Sequence, residues 1–163
     1  DLTVEQLYEK WTDKYFESLS SPSSERTIKS AWNYCSAVYD MRAKDLRARH
    51  IKGCMEDGTY VVDGKEKHAS PTTKTKIKSL FNLMLDYALE YELVDKNYAR
   101  TFNLSDDVIK DVKEAKKDHI DFTDEEIKKL WDHLYDTDYV DVILIQCYSG
   151  WRPQELGLIE LKM

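Results

Sequence analysis

Apolar side chains recur every three or four residues through most of this chain, and little interrupts them. Val4, Leu7, Trp11 and Tyr15 share one side of a first helix. Ile28, Ala31, Trp32, Cys35, Val38 and Tyr39 share one side of a second, and Ile77, Leu80, Phe81, Met84, Ala88 and Tyr91 one side of a third. That spacing commits the chain to amphipathic helices that bury their stripes against one another. Three prolines and five glycines in 163 residues leave the periods largely unbroken. The expected fold class is mainly α.

The first helix is expected from about Val4 to Leu19, with Thr3 as N-cap and Gln6 at N3. A turn over residues 20–24 separates it from a second helix over about 24–40. A short third helix is expected from about Ala43 to Met55, on the sparse apolar content of Leu46, Ile51 and Met55. Residues 57–70 break the pattern. Asp57-Gly58 and Asp63-Gly64 are turn signals, and Thr59-Tyr60-Val61-Val62 favours extended structure, so a small hairpin or ordered loop is expected there. A long helix then starts near Pro71, where proline suits a first turn, and ends near Glu92. Residues 104–119 are charged and poor in apolar side chains, which suits an exposed linker. Thr123 and Glu126 form a capping box, Phe122 and Ile127 stand at the positions of a hydrophobic staple, and Ile127, Leu130, Trp131 and Leu134 are expected to face a core. The resulting organisation is a helical domain over 1–105, a linker over 106–119 and a second helical segment over 120–163.

The formal net charge of −7 is unevenly spread. Residues 1–105 carry 16 basic and 16 acidic side chains, whereas residues 106–141 carry 6 and 13. Local basic clusters occur in the neutral part: Arg42, Lys44, Arg47, Arg49 and Lys52, then Lys65, Lys67, Lys74, Lys76 and Lys78. Overall acidity therefore does not exclude a basic face on the first domain. The three cysteines, Cys35, Cys54 and Cys147, lack CxxC spacing and are expected to be reduced core thiols of a cytoplasmic protein. His50 and Cys54 lie four apart but lack further metal-ligand partners nearby, so no metal and no cofactor is expected. No apolar run of about 18 residues occurs, and no membrane partner is expected.

Two features carry chemistry. In Tyr148-Ser149-Gly150-Trp151-Arg152-Pro153-Gln154-Glu155-Leu156, an apolar helix stops at Ser-Gly and a new one starts at Pro153. Arg152 stands at or just before the new helix's N-cap. A guanidinium there donates two parallel hydrogen bonds to a phosphate and stays charged at any working pH, and Glu155 can fix its rotamer. Secondly, the non-core faces of two helices are small, polar and basic, as a surface approaching a DNA backbone requires. On the second helix these are Arg26, Thr27, Lys29, Ser30 and Asn33. On the long helix they are Lys74, Thr75, Lys78, Ser79 and Asn82, with Asp86 farther along. No GxSxG, Walker, HExxH or glycine-rich dinucleotide signature is present.

Together these segments resemble the tyrosine recombinases, in particular phage-type or transposon-type integrases of Gram-positive bacteria. Residues 75–88 followed by Asp95-Lys96-Asn97 resemble the last long helix of that family's core-binding domain and its exit. Phe122-Thr123-Asp124-Glu125-Glu126-Ile127 resembles the opening of the catalytic domain. Ser149-Gly150-Trp151-Arg152-Pro153-Gln154-Glu155-Leu156 is similar to the motif around the family's first catalytic arginine, with serine in place of threonine. The resemblance implies a SAM-like helical core-binding domain followed by the first helices of a truncated catalytic domain. It implies double-stranded DNA as partner, DNA recombination and integration through a 3′-phosphotyrosyl intermediate, and a full-length protein that oligomerises on DNA. Arg152 would be a phosphate-binding catalytic arginine and Glu155 its support. The family's second arginine, histidines, strand lysine and nucleophilic tyrosine follow this motif, and no residue up to Met163 matches them. The chain is accordingly expected to be a DNA-binding fragment that does not itself cleave. Two other readings of the same residues stay open, a non-enzymatic helical DNA-binding regulator and a helical protein-interaction module.

Overall fold

The computed structural model describes residues 2–115 and 120–158. The chain is mainly helical, and it divides into two compact units, Asp1–Lys116 and Lys117–Met163.

In the first unit, helix α1 spans Val4–Glu17. Its capping box forms as the sequence requires. The Gln6 N–H donates to Thr3 Oγ1 at 3.1 Å, and the Thr3 N–H donates to Gln6 Oε1 at 3.0 Å. Helix α2 covers Pro22–Trp32, with Ser21 as N-cap, and passes directly into a 3-10 segment over Asn33–Val38. The single helix expected over 24–40 is thus two windings. An aromatic stack ties them to α1. Tyr8 lies flat on Trp32 at 4.0 Å, and Trp32 on Tyr39 at 4.5 Å. The Tyr39 hydroxyl donates to the Trp32 carbonyl at 2.8 Å. Burial pushes the Tyr8 phenol up to about 12.

The third expected helix is also interrupted. A 3-10 turn occupies Ala43–Asp45, and α3 starts only at Ala48 and runs to Glu56. Between them Leu46 adopts an extended backbone, which drives its side chain into the core, where it is 1% exposed. Strands β1 (Thr59–Val62) and β2 (Lys65–His68) form an antiparallel hairpin in which Tyr60 pairs with Lys67 and Val62 with Lys65. Asp63 and Gly64 both have positive φ, at 51° and 71°, as a two-residue I′-type turn demands. Tyr60 meets Tyr34 edge-on at 4.9 Å and anchors the hairpin on the helical body.

Helix α4 spans Pro71–Glu90, with the Ser70 hydroxyl accepting the Thr73 N–H. Its stripe of Ile77, Leu80, Phe81, Met84, Leu85 and Ala88 is fully buried and forms the centre of the core. Each large side chain in that stripe contributes about 1.5–3 kcal/mol of hydrophobic stabilisation. After α4 the chain turns back on Asn97. Its amide donates to the Asn82 carbonyl (3.0 Å) and to Asp86 Oδ1 (2.8 Å), and its own Oδ1 accepts the Ala99 N–H (3.0 Å). A 3-10 turn over Tyr98–Thr101 follows.

The stretch expected to be a linker begins as a helix. α5 spans Asp106–Ala115, lies against α4 and belongs to the first unit. Val108 and Val112, one turn apart, are half-buried, and Leu104 ahead of them packs on the core. Six charged residues in ten outnumber its apolar ones, Val108, Ile109, Val112 and Ala115, so the pattern does not announce a packed helix. Residues 116–119 of that stretch, and the chain from 159 onward, lie outside the described residues.

The second unit holds α6 (Asp124–Asp132), α7 (Val140–Ser149) and α8 (Pro153–Gly157). The Thr123–Glu126 capping box forms. The core expected beneath α6 does not. Among the described residues of this unit only Val140 and Leu144 are buried. Ile127, Leu130 and Leu134 are half-buried, and Trp131 is 50% exposed. Cys147, expected in a core with Cys35 and Cys54, is likewise exposed while those two are buried. Among the described residues no helix is long and apolar enough to cross a membrane.

Candidate nucleic-acid interface

The α2 residues singled out by sequence lie on the surface of the first unit. Arg26, Lys29 and Asn33 are exposed and Thr27 is half-buried. Lys29 is not a free cation. It pairs with Glu25 at 2.5 Å and stands over the Phe16 ring at 5.4 Å. Arg26, by contrast, has no carboxylate within ion-pair distance among the described residues.

On α4, Ser79 is exposed, while Lys74, Thr75, Lys78 and Asn82 are half-buried. The cause is the chain beyond the 3-10 turn. Thr75, Lys78, Ser79 and Asn82 form one wall of an open groove of about 440 Å³, whose other wall is Asn103, Leu104, Asp106 and Ile109. Lys74 lines a neighbouring groove with Lys52, Glu56, Phe102 and Ser105. Asn82 turns inward. Its Oδ1 is buried without a hydrogen-bond partner, and its backbone carbonyl holds Asn97. The Thr75 hydroxyl donates to the Pro71 carbonyl at 3.2 Å. The polar face of α4 is therefore one wall of a groove rather than an open helix side, and its cations are the half-buried Lys74 and Lys78.

Asp86 has a different role from the rest of that face. It accepts Arg100 Nε at 2.9 Å, pairs with Arg100 Nη2 and accepts the Asn97 amide. These donors, Arg100 first, hold its carboxyl below the usual carboxylate range. It clamps the returning chain onto α4.

Sequence reasoning missed Lys52 as part of this surface. Its Nζ lies 5.0 Å from the centre of the Phe102 ring, and Lys78 Nζ lies 5.2 Å from the same ring. Lys52 belongs to a basic cluster visible in the sequence. That it meets α4 across Phe102 is a tertiary fact that spacing does not encode.

In the second unit, α7 ends at Gly150, whose φ of 68° reverses the chain where a side chain would be strained. The Trp151 N–H donates to Ser149 Oγ at 3.1 Å. Arg152 is then the extended N-cap of α8, and Pro153 is its first helical residue. The Glu155 carboxylate accepts the Arg152 backbone N–H at 2.8 Å and lies 3.9 Å from its guanidinium. The arginine side chain is 85% exposed. Sequence placed Arg152 at the N-cap and Glu155 beside it, but expected the carboxylate on the guanidinium rather than on the backbone N–H. Glu155 fixes the backbone at Arg152, and the guanidinium extends into solvent, available to an external phosphate.

No family model, no curated protein and no solved structure matches this chain.

Proposed function

We propose that the chain is the DNA-binding part and the opening of the catalytic domain of a site-specific tyrosine recombinase. On this reading the first unit is the SAM-like core-binding domain. It contacts the backbone of double-stranded DNA through Arg26 of α2 and through Lys74, Lys78 and Ser79 of α4. Arg152 is the arginine that binds the reacting phosphate, and Glu155 braces it. The observation that carries the reading is the α7–α8 junction. A left-handed glycine ends one helix, and the next residue but one is an exposed arginine capping the following helix, with a carboxylate one turn on holding its backbone. A merely decorative surface arginine needs none of that local machinery. Donors preorganised toward developing phosphoryl charge are typically worth about 3–4 kcal/mol each in such reactions. The uncovered apolar side of α6 and α7 supports reading these helices as part of a larger domain.

That same apolar side favours a second reading, a protein-interaction module. Trp131, Leu134, Leu144, Ile145 and Tyr148 line an apolar groove of about 430 Å³. A gel-shift titration with duplex DNA at low and moderate salt separates the two. The recombinase reading predicts retardation at low salt that is weakened in the K74A/K78A variant. Absence of a shift at low salt sinks that reading and leaves the interaction module standing.

A further inference from the structure

Most paired cations of the first unit are neutralised within the fold: Lys29 by Glu25, Arg42 by Asp45, Arg100 by Asp86. One group is held in place without being neutralised. Arg47 stands 4.8 Å above the Tyr98 ring, and Lys96 lies 5.6 Å from the same ring. Lys52 and Lys78 share Phe102 in the same manner. Each distance is within the range over which a ring face attracts a cation. Among the described residues none of these four has a carboxylate at ion-pair distance. Glu56 and Asp95 line the grooves beside them without pairing to them. Arg47 is further fixed by donating Nη1 to the Lys44 and Leu46 carbonyls, at 2.6 and 2.9 Å.

The two rings come from consecutive turns of one segment, Tyr98 opening the 3-10 turn and Phe102 following it. Arg47 and Lys52 come from the N-cap and first turns of α3, which packs on that segment. His50 is held below its ordinary range by burial and then by the guanidinium groups of Arg49 and Arg47. A ring orients a cation without cancelling its charge, which suits a partner that brings the anions itself.

We infer that Arg47, Lys96 and Lys52, continued by Lys78, form a second phosphate-contact strip on the first unit. It extends the DNA interface from α4 across Phe102 and Tyr98 to α3. The inference rests on the DNA-binding reading above and adds residues to it that neither the α2 nor the α4 face contains. An acidic protein surface could meet the same four charges. The continuity with Lys74 and Lys78 favours the nucleic-acid backbone.

The test is fluorescence anisotropy of a labelled duplex against the whole chain over a series of salt concentrations. In R47Q/K52Q/K96Q the slope of log K against log salt should fall by about 0.9 for each charge removed. F102L keeps every charge and an apolar side chain but removes one ring, and it should weaken binding several-fold. K10Q, on the exposed side of α1, should match the unaltered chain. An unchanged slope in R47Q/K52Q/K96Q beside a reduced slope in K74A/K78A overturns the strip and leaves the proposed function intact. No duplex binding by the unaltered chain overturns both. Equal loss of affinity for polyglutamate with no loss for duplex would reassign the strip to a protein partner and also overturns the inference.

Discussion

Gly58 and Gly53 sit five residues apart and respond to a methyl group in opposite ways. A Cβ on Gly58 would lie 2.1 Å from the Cys54 carbonyl oxygen and 2.4 Å from that of Tyr34. Both obstacles are backbone, so neither can step aside as a flexible side chain would. Gly58→Ala should therefore cost more than about 3 kcal/mol, the upper end of ordinary overpacking. Gly53 lies inside α3 with nothing within 4 Å of a Cβ. Gly53→Ala should stabilise by about 0.5–1 kcal/mol through helix propensity. Urea midpoints of the two variants against the unaltered chain check the pair, and equal effects would show that the close approach at Gly58 is not real. Only part of this was readable beforehand. Asp57-Gly58 announced a turn, but the need for glycine comes from α3 and the Tyr34 carbonyl, remote partners that a turn signal does not name. Capping is the contrary case. Thr3, Ser70 and Thr123 accept the N–H of the residue three positions on, and Glu155 accepts that of Arg152 three positions back, so local chemistry sufficed to place the N-caps Thr3, Thr123 and Arg152.

At the scale of elements, the long periods were legible and the breaks were not. α1 and α4 carry four or more apolar residues in register, and the expected and observed helices agree to within two residues at each end. The second and third helices fail where tertiary packing overrides the period: the chain tightens at Asn33, and Leu46 leaves the helix to reach the core. α5 was missed because its burial rests on Val108 and Val112 alone. The candidate interface shared that fate. The residues of α4 were identifiable from their polarity, but the groove wall that half-covers them is built by residues 103–109.

The element joint that most invites a test is the Asp86 clamp on Asn97 and Arg100. Asp86→Asn removes the charge that both donors hold, and should destabilise by about 1 kcal/mol, a modest figure because the pair is partly solvated. The sign with pH follows from the lowered carboxyl pKa. The clamp contributes fully above the ordinary carboxylate pKa of about 4 and is lost as pH falls through the lower folded value. Thermal unfolding at neutral pH should show Asp86→Asn below the unaltered chain, and the gap should close on acidification past the carboxylate range. A gap that widens on acidification would contradict the clamp.

At the scale of the molecule, the two units differ in kind. The first buries a continuous core from Val4 to Ala99 and presents cations on α2, α3 and α4. Among its described residues the second buries only Val140 and Leu144 and leaves Trp131, Ile145 and Tyr148 in solvent. The charge balance of the sequence foreshadowed this division, since the acidic excess falls in residues 106–141 and spares the surface proposed to meet DNA. The most direct measurement of the central claim is the salt dependence of duplex binding by the unaltered chain. The account predicts linear weakening of log K with log salt, with a slope of magnitude about 5, since Arg26, Lys74, Lys78, Arg47, Lys52 and Lys96 each release about 0.9 counterion. Binding that is insensitive to salt, or no binding at 50 mM salt, would contradict it.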